Sequence, residues 1–381
     1  MTRLMPTAVA VLAALGAVRG ACGAQESTVP PASVQGQGRL SQVANFDHQV
    51  TGVAVARDGR IFVNFPRWSE DAPVSVAEVL KDGSIRPYPN AEWNAWRNAR
   101  KNEVSPGDHW VCVQSVVADG RGNLWVVDPA APATAAVVAG GPKLVRIALA
   151  SNAVAQVVRF DTTVAPNGSY LNDVRVSPDG RHAYLTDSGG QGAIVVVDLQ
   201  SGTARRLLAA HPSVQPEKDV VVKVDGKPVR RPDGRGVEFA SDGIALSPDG
   251  QHLYWKAVTG RTLYRIATDA LRDASLSAAA LGARVERVAQ TVPSDGLWMD
   301  GRGRLYFTAV EDNSVKVREP NGGDRLTTVV QDARLRWPDT FAEGPDGTLY
   351  VTASRIPDMS WYQPQNGPRL RTALFRIAPS R

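Results

Sequence analysis

Six polar residues recur along this chain in one setting. Thr51, Gln114, Asn172, Asp242, Asp295 and Asp339 each stand at the head of a short apolar run, 44 to 70 residues from the next. Three are carboxylates, and the others supply an amide or a hydroxyl oxygen. Carboxylates brought to one point repel one another unless protons or a cation intervene. A set of Asp, Asn, Gln and Thr oxygens suits a hard cation, calcium first, with magnesium or no metal as the alternatives; no HxH or HExxH pattern points to zinc. A carboxylate can also accept a proton from a small substrate. Whether the six act together depends on the elements that carry them.

Each apolar run reads as the first strand of a hairpin. A Gly-containing turn follows, as in Pro178-Asp179-Gly180, Pro248-Asp249-Gly250 and Pro345-Asp346-Gly347. Pro presets φ in such a turn and Gly supplies a positive φ. The second strand then opens on an apolar-aromatic step: Ile61-Phe62, Leu124-Trp125, Ala183-Tyr184, Leu253-Tyr254, Leu305-Tyr306 or Leu349-Tyr350. The spacing leaves room for four strands per copy, and such repeats bury their faces only against neighbours. An all-β, six-bladed β-propeller with a central channel is the expected fold, spanning residues 41–381. Closure would pair SQVANFD from Ser41 with ALFRIAP from Ala373. The innermost strand of every blade runs along the channel, so the six head residues form a ring at one mouth. The residues that follow them, Gly52, Ser115, Asp173, Gly243, Gly296 and Thr340, are mostly small, as crowding at the axis demands. Returning strands carry Asp128, Asp187, Lys256 and Thr308 toward the rim. Thr51, Gln114, Asp173, Asp187 and Lys256 are therefore candidate substrate-binding residues, and Asn172, Asp242, Asp295 and Asp339 candidate metal ligands.

The first 24 residues have a basic start at Arg3, an apolar run from Ala8 to Val18 and a small-residue stretch before Gln25. They read as a signal peptide, followed by a flexible segment over 25–40, which places the mature chain in a secreted or periplasmic setting. No stable membrane anchor is expected unless Cys22 in Gly20-Ala21-Cys22 is lipidated, against which Arg19 occupies an aliphatic position. Cys112 then remains as a lone cysteine in an alternating strand, a buried and inert thiol. The net charge of +5 at pH 7 is spread among acids without a basic stripe, so nucleic acid is not an expected partner. A monomer binding a small molecule is. GxSxG, phosphate-loop and dinucleotide fingerprints are absent from the sequence. Two irregular stretches are placed to reach the mouth. The excursion from Ala210 to Ala240 contains a VVVKVDGKPV hairpin and ends at Ser241-Asp242. The segment DMSWYQPQNGPRLR offers Trp361 to stack a ring-shaped ligand.

The wording of several segments resembles the bacterial branch of the yellow and major royal jelly protein family. They are TGVAVARDGRIFVNFPRW (Thr51 to Trp68), VAEVLKDGSIRPYPNAEWNAW (Val76 to Trp96), YLNDVRV, AYLTDSGGQGAIVVVDLQSG and SDGIALSPDGQHLYW. The resemblance implies a secreted six-bladed propeller whose insect relatives include dopachrome-converting enzymes and amine-binding proteins. A more distant likeness, through LNDVRVSPDGRHAYLTDS and SDGLWMDGRGRLYFTA, is to regucalcin and gluconolactonase propellers. It implies that Asn172 and Asp295 ligate a divalent metal and that Asp295 is the catalytic base. The chain departs from that pattern at Thr51-Gly52, where those propellers carry a metal-binding Glu. The expected activity is lactone hydrolysis or dopachrome-like tautomerisation at the channel mouth. The alternative is a non-catalytic binding protein for an amine or a sugar derivative.

Overall fold

The computed structural model describes residues 38–134 and 136–378, so the expected signal peptide and Cys22 lie outside the described residues. Runs rich in β-branched and aromatic residues form six four-stranded antiparallel sheets in chain order. The inner strands are Val53–Val55, Ser115–Ala118, Leu171–Val176, Ser241–Leu246, Ser294–Met299 and Pro338–Glu343. Each touches the inner strands of both neighbours, and the sixth returns to the first, so the sheets close into a six-bladed propeller. The ring is fastened by the two chain ends. Arg39–Phe46 is the outermost strand of the sixth blade and pairs with Thr372–Ala378, with Ser41 opposite Arg376 and Asn45 opposite Ala373. That is the closure expected from the sequence.

Between successive blades lies one apolar layer each, which is what holds the ring. Phe62 and Val76 pack on Leu124 and Val126 between blades one and two, and Ile194 and Val196 pack on Leu253 and Trp255 between blades three and four. Val53 and Val63 meet Phe46 and Leu374 where the ring closes. Fully burying each such side chain stabilises the fold by roughly 1.5–3 kcal/mol.

The inner strands are not alike. In blades three to six the ladder to the second strand slips between Leu171 and Val174, Ser241 and Ile244, Ser294 and Leu297, and Pro338 and Phe341. Blades one and two show no such slip. A bulge of this kind re-aims the side chains within it, and here the bulged pairs are Asn172-Asp173, Asp242-Gly243, Asp295-Gly296 and Asp339-Thr340. The small residues have a steric cause. A Cβ on Gly243 would stand 2.3 Å from the Asp295 carbonyl oxygen, and one on Gly296 would stand 2.1 Å from that of Asp339.

The excursion before blade four carries the expected hairpin, Lys223–Val224 against Lys227–Pro228, turned by Asp225 and Gly226 at φ of 53° and 72°. It sits on an apolar cluster over the channel face, where Val222, Val224 and Val229 meet Trp337, Ile356 and Tyr362. Asp225 is tied to Arg336 at 2.7 Å.

Candidate functional site

The four bulges deliver Asn172, Asp242, Asp295 and Asp339 to one place, all of them buried. Asp242 Oδ2 accepts from Asn172 Nδ2 at 2.6 Å, and the same nitrogen donates to Ser188 Oγ at 3.0 Å. Asp295 Oδ2 accepts from the indole Nε1 of Trp337 at 2.6 Å. Trp337 is fully buried and holds a φ of 53°, a costly conformation for a bulky residue, fastened by Ser354 N donating to its carbonyl at 3.0 Å. Asp339 Oδ1 accepts from Thr340 Oγ1 at 2.9 Å.

These carboxylates lack what their neighbours have. Asp128 is paired with Lys143 at 2.9 Å, Asp173 with Arg175 at 2.9 Å, and Asp187 with Arg206, whereas Asp242, Asp295 and Asp339 are in no ion pair among the described residues. Burial pushes the Asp242 carboxyl well above the ordinary carboxylate range, and the charge of Asp295 and the hydrogen bond the two share push it further. Burial likewise raises Asp339 well above that range, with Asp295 adding to it. Burial raises Asp295 as well, against the opposing hydrogen bonds from Trp337 and Asp242. Burial and mutual repulsion thus favour the protonated form of these acids, most strongly at Asp242 and Asp339.

Above the acids opens a cavity of about 280 Å³. Its walls are aromatic: Trp68 and Trp361 have ring centroids 6.0 Å apart, and Trp68 and Tyr170 6.3 Å apart. Tyr170 accepts a hydrogen bond from Trp68 Nε1 and donates to Gln114 Oε1 at 3.0 Å, which fixes ring and amide together. Arg231 and Glu238 come from the excursion before blade four, with the Arg231 guanidinium 4.8 Å from the centre of the Trp361 ring. An aromatic chamber over unpaired buried acids can hold a cation by charge and by the ring faces at once.

Of the residues expected from the sequence, Gln114, Asn172, Asp242, Asp295, Asp339 and Trp361 line this cavity. Thr51 does not. In an unbulged strand its hydroxyl donates to the Gln114 carbonyl at 3.1 Å and accepts from Asn64 Nδ2 at 2.8 Å, joining blade one to blade two. Asp173 turns the other way in its bulge, accepting from Ser115 Oγ at 2.7 Å and pairing with Arg175. Asp187 braces the loop before blade three through Ser169 Oγ and the amides of Tyr170 and Gly189. Lys256 is fully buried, donates to the carbonyls of Gly260 and Val292 at 2.8 and 2.7 Å, and is lowered by burial to about 7. His211 stays clear of the cavity and caps a short turn by accepting from Ser213 N. Cys112 is fully buried and its thiol is pushed up to about 12, an inert group as expected. Trp68, Tyr170, Arg231, Glu238 and Trp337 are the functional neighbours that the ring periodicity does not reach, because all five lie in connections between strands. The aromatic residue two positions before two of the ring residues, Tyr170 in YLND and Trp337 in WPD, is the sequence signal for these walls.

The expected metal centre is not supported by the arrangement. Among the described residues no group of three or more His, Cys, Asp or Glu side chains is set to hold one ion. One oxygen of each acid is already committed, to Asn172, Trp337 and Thr340 respectively. Residues 111–367 match the profile described as major royal jelly protein. The chain belongs to that family. Members of the family are not the only propellers it is similar to. A gluconolactonase from Xanthomonas campestris aligns at a TM-score of 0.53 with 14 % identity, over 90 % of each chain. A calcium-binding regucalcin from Agrobacterium tumefaciens aligns at 0.53 with 15 % identity, over 90 % of this chain and 94 % of that one. A luciferin-regenerating enzyme aligns at 0.54 with 11 % identity, over 90 % and 95 %. At such identities the likeness is one of fold. No curated protein sequence matches the chain. In this royal jelly family propeller the cavity itself carries the groups that can do chemistry.

Proposed function

We propose that the protein is a small-molecule-binding propeller whose ligand is a protonated organic amine seated in the channel mouth. The observation that carries this reading is that, among the described residues, Asp242, Asp295 and Asp339 are in no ion pair beneath an aromatic chamber, whereas Asp128, Asp173 and Asp187 each have one. An ammonium group would take the place of Lys143 or Arg206, and its apolar body would lie between Trp68, Tyr170 and Trp361. A cation on an aromatic face adds about 0.5–2 kcal/mol when desolvated. A sugar derivative would leave the acid charges unrelieved, so the amine is favoured over it. The mature chain, from about residue 25, would meet this ligand as a monomer in a secreted or periplasmic setting; among the described residues no helix is long and apolar enough to cross a membrane.

A second reading rests on Asp242 and Asp295 as neighbouring buried acids, both raised above the ordinary carboxylate range. Such a pair can take a proton from one atom of a cyclic quinone-like compound and return it to another, which is a tautomerisation, with Asp295 as the base. Lactone hydrolysis would use the same carboxylate, and calcium is the competing occupant for both. Titrating tyramine, dopamine and tryptamine into the protein, with calcium, gluconolactone and dopachrome in parallel arms, separates these readings. Saturable amine binding that Asp295→Asn weakens by about tenfold or more, equivalent to at least about 1.4 kcal/mol, without turnover of either substrate, is the expected result. Turnover of dopachrome or lactone that Asp295→Asn abolishes, with no amine binding, would replace the binding reading with the catalytic one.

A further inference from the structure

The channel has a second mouth, where the inner strands end instead of begin. A cavity of about 510 Å³ lies there, walled by Val117, Val176, Leu246 and Met299 and by the ring of Trp298. Its charged groups are mainly basic, whereas the floor of the first cavity is acidic. Arg57, Arg121 and Arg175 line it, and Asp119 is the acid among its lining residues. The Asp119 carboxylate is already occupied: it accepts from the amides of Arg121 and Asn123 at 2.8 and 2.9 Å, from Asn123 Nδ2 at 2.9 Å and from Trp125 Nε1 at 2.8 Å.

Two of the arginines lie over the hairpin turns of the next blade. Arg57 at the end of blade one lies across the turn of blade two, its Nη2 3.1 Å from where a Cβ of Gly120 would stand. Arg121 repeats the contact one blade on, its Nε 2.8 Å from the Cβ position at Gly180. Neither guanidinium has an ion-pair or hydrogen-bond acceptor among the described residues. Arg175 sits deeper and is only 7 % exposed. It pairs with Asp173 at 2.9 Å, donates to its neighbour's carbonyl at Val174 at 2.6 Å, and reaches the Leu297 carbonyl of blade five at 2.8 Å. Its Nε–H has no acceptor among the described residues, and its guanidinium lies 5.6 Å from the centre of the Trp298 ring. A buried donor left without a partner costs about 1–3 kcal/mol, which a ligand oxygen would recover.

We infer that this second mouth is a binding site for a small oxyanion such as phosphate. Guanidinium forks match the oxygens of a tetrahedral oxyanion, and two forks without protein partners line the same cavity as Arg175, whose Nε–H has no acceptor among the described residues. Arg175 separates this basic chamber from the acidic one, so the two sites take ligands of opposite charge. The inference does not rest on the amine reading.

The test is titration of inorganic phosphate into the protein at low ionic strength, with sulfate and sodium chloride as competitors. Saturable one-to-one binding is expected, weakened by about tenfold or more in Arg57→Gln/Arg121→Gln. Sulfate should compete, and chloride at the same ionic strength should compete far less. Because both arginines are exposed, the double variant should melt with the wild type and keep any ligand of the first mouth unchanged. Absence of saturable binding, binding that survives in the double variant, or displacement by chloride as effective as by sulfate would each overturn the site.

Discussion

At Asp242, four features meet: burial, a bulge, an Asn172 hydrogen bond and the nearby charge of Asp295. Its carboxyl is raised above the unfolded value of about 3.9, so the folded chain keeps a proton that the unfolded chain has lost. Stability contributed by this group is therefore present at low pH and lost as pH rises from about 4 through the folded-state pKa. Asp339 acts in the same sense. The ligand-free protein should lose melting temperature between pH 5 and pH 8 for this reason, and Asp242→Asn should remove part of that slope. An amide keeps an oxygen for Asn172 Nδ2 while discarding the charge. Calorimetry from pH 4.5 to 8 should show the variant melting higher than the wild type at pH 8, by about 2 °C for each kcal/mol of repulsion relieved. Equal slopes in the two proteins would mean that Asp242 is ionised and compensated.

At the scale of elements, the site depends on inserts as much as on blades. Glu217 Oε1 accepts from Thr262 N at 2.8 Å and anchors the start of the excursion, while Arg231 closes over Trp361 at its far end. Deleting Lys218 to Arg231 exposes part of the upper apolar cluster but leaves every layer between blades intact. A lowered yet still cooperative melting transition is expected, together with weaker amine binding; a broad, multi-step transition would show that the excursion belongs to the folding unit. The blades were legible because each carries a Gly turn and an apolar-aromatic step at fixed offsets, and the ring followed from where those strands must begin. The bulges were not legible. They aim Asn172, Asp242, Asp295 and Asp339 into the cavity, while Thr51 in unbulged blade one spends its hydroxyl on the Gln114 carbonyl. Asp173 and Lys256 were misplaced for a related reason: position along a strand does not say whether a charge meets a partner, as Asp173 does in Arg175, or a pair of carbonyls, as Lys256 does. The aromatic walls come from connections of unequal length, which carry no period to follow.

As a whole, the molecule is an axial arrangement of charge that its small net charge of +5 conceals. Unpaired acids under aromatic rings face one end of the channel, unpaired guanidinium groups face the other, and Arg175 bars the way between them. The first mouth is the centre of the functional account, and its claim is that an organic cation replaces a proton. An ammonium group lowers the pKa of carboxyls it approaches, so binding must drive protons off the Asp242, Asp295 and Asp339 group wherever these are protonated in the free protein. Calorimetric titration of tyramine near pH 6, repeated in buffers of different ionisation enthalpy, measures that release directly. The account predicts that binding liberates protons, that the release shrinks as pH rises, and that it is largely lost in Asp242→Asn. Tyramine binding with no proton release at any pH between 5 and 8, or with proton uptake, would contradict it.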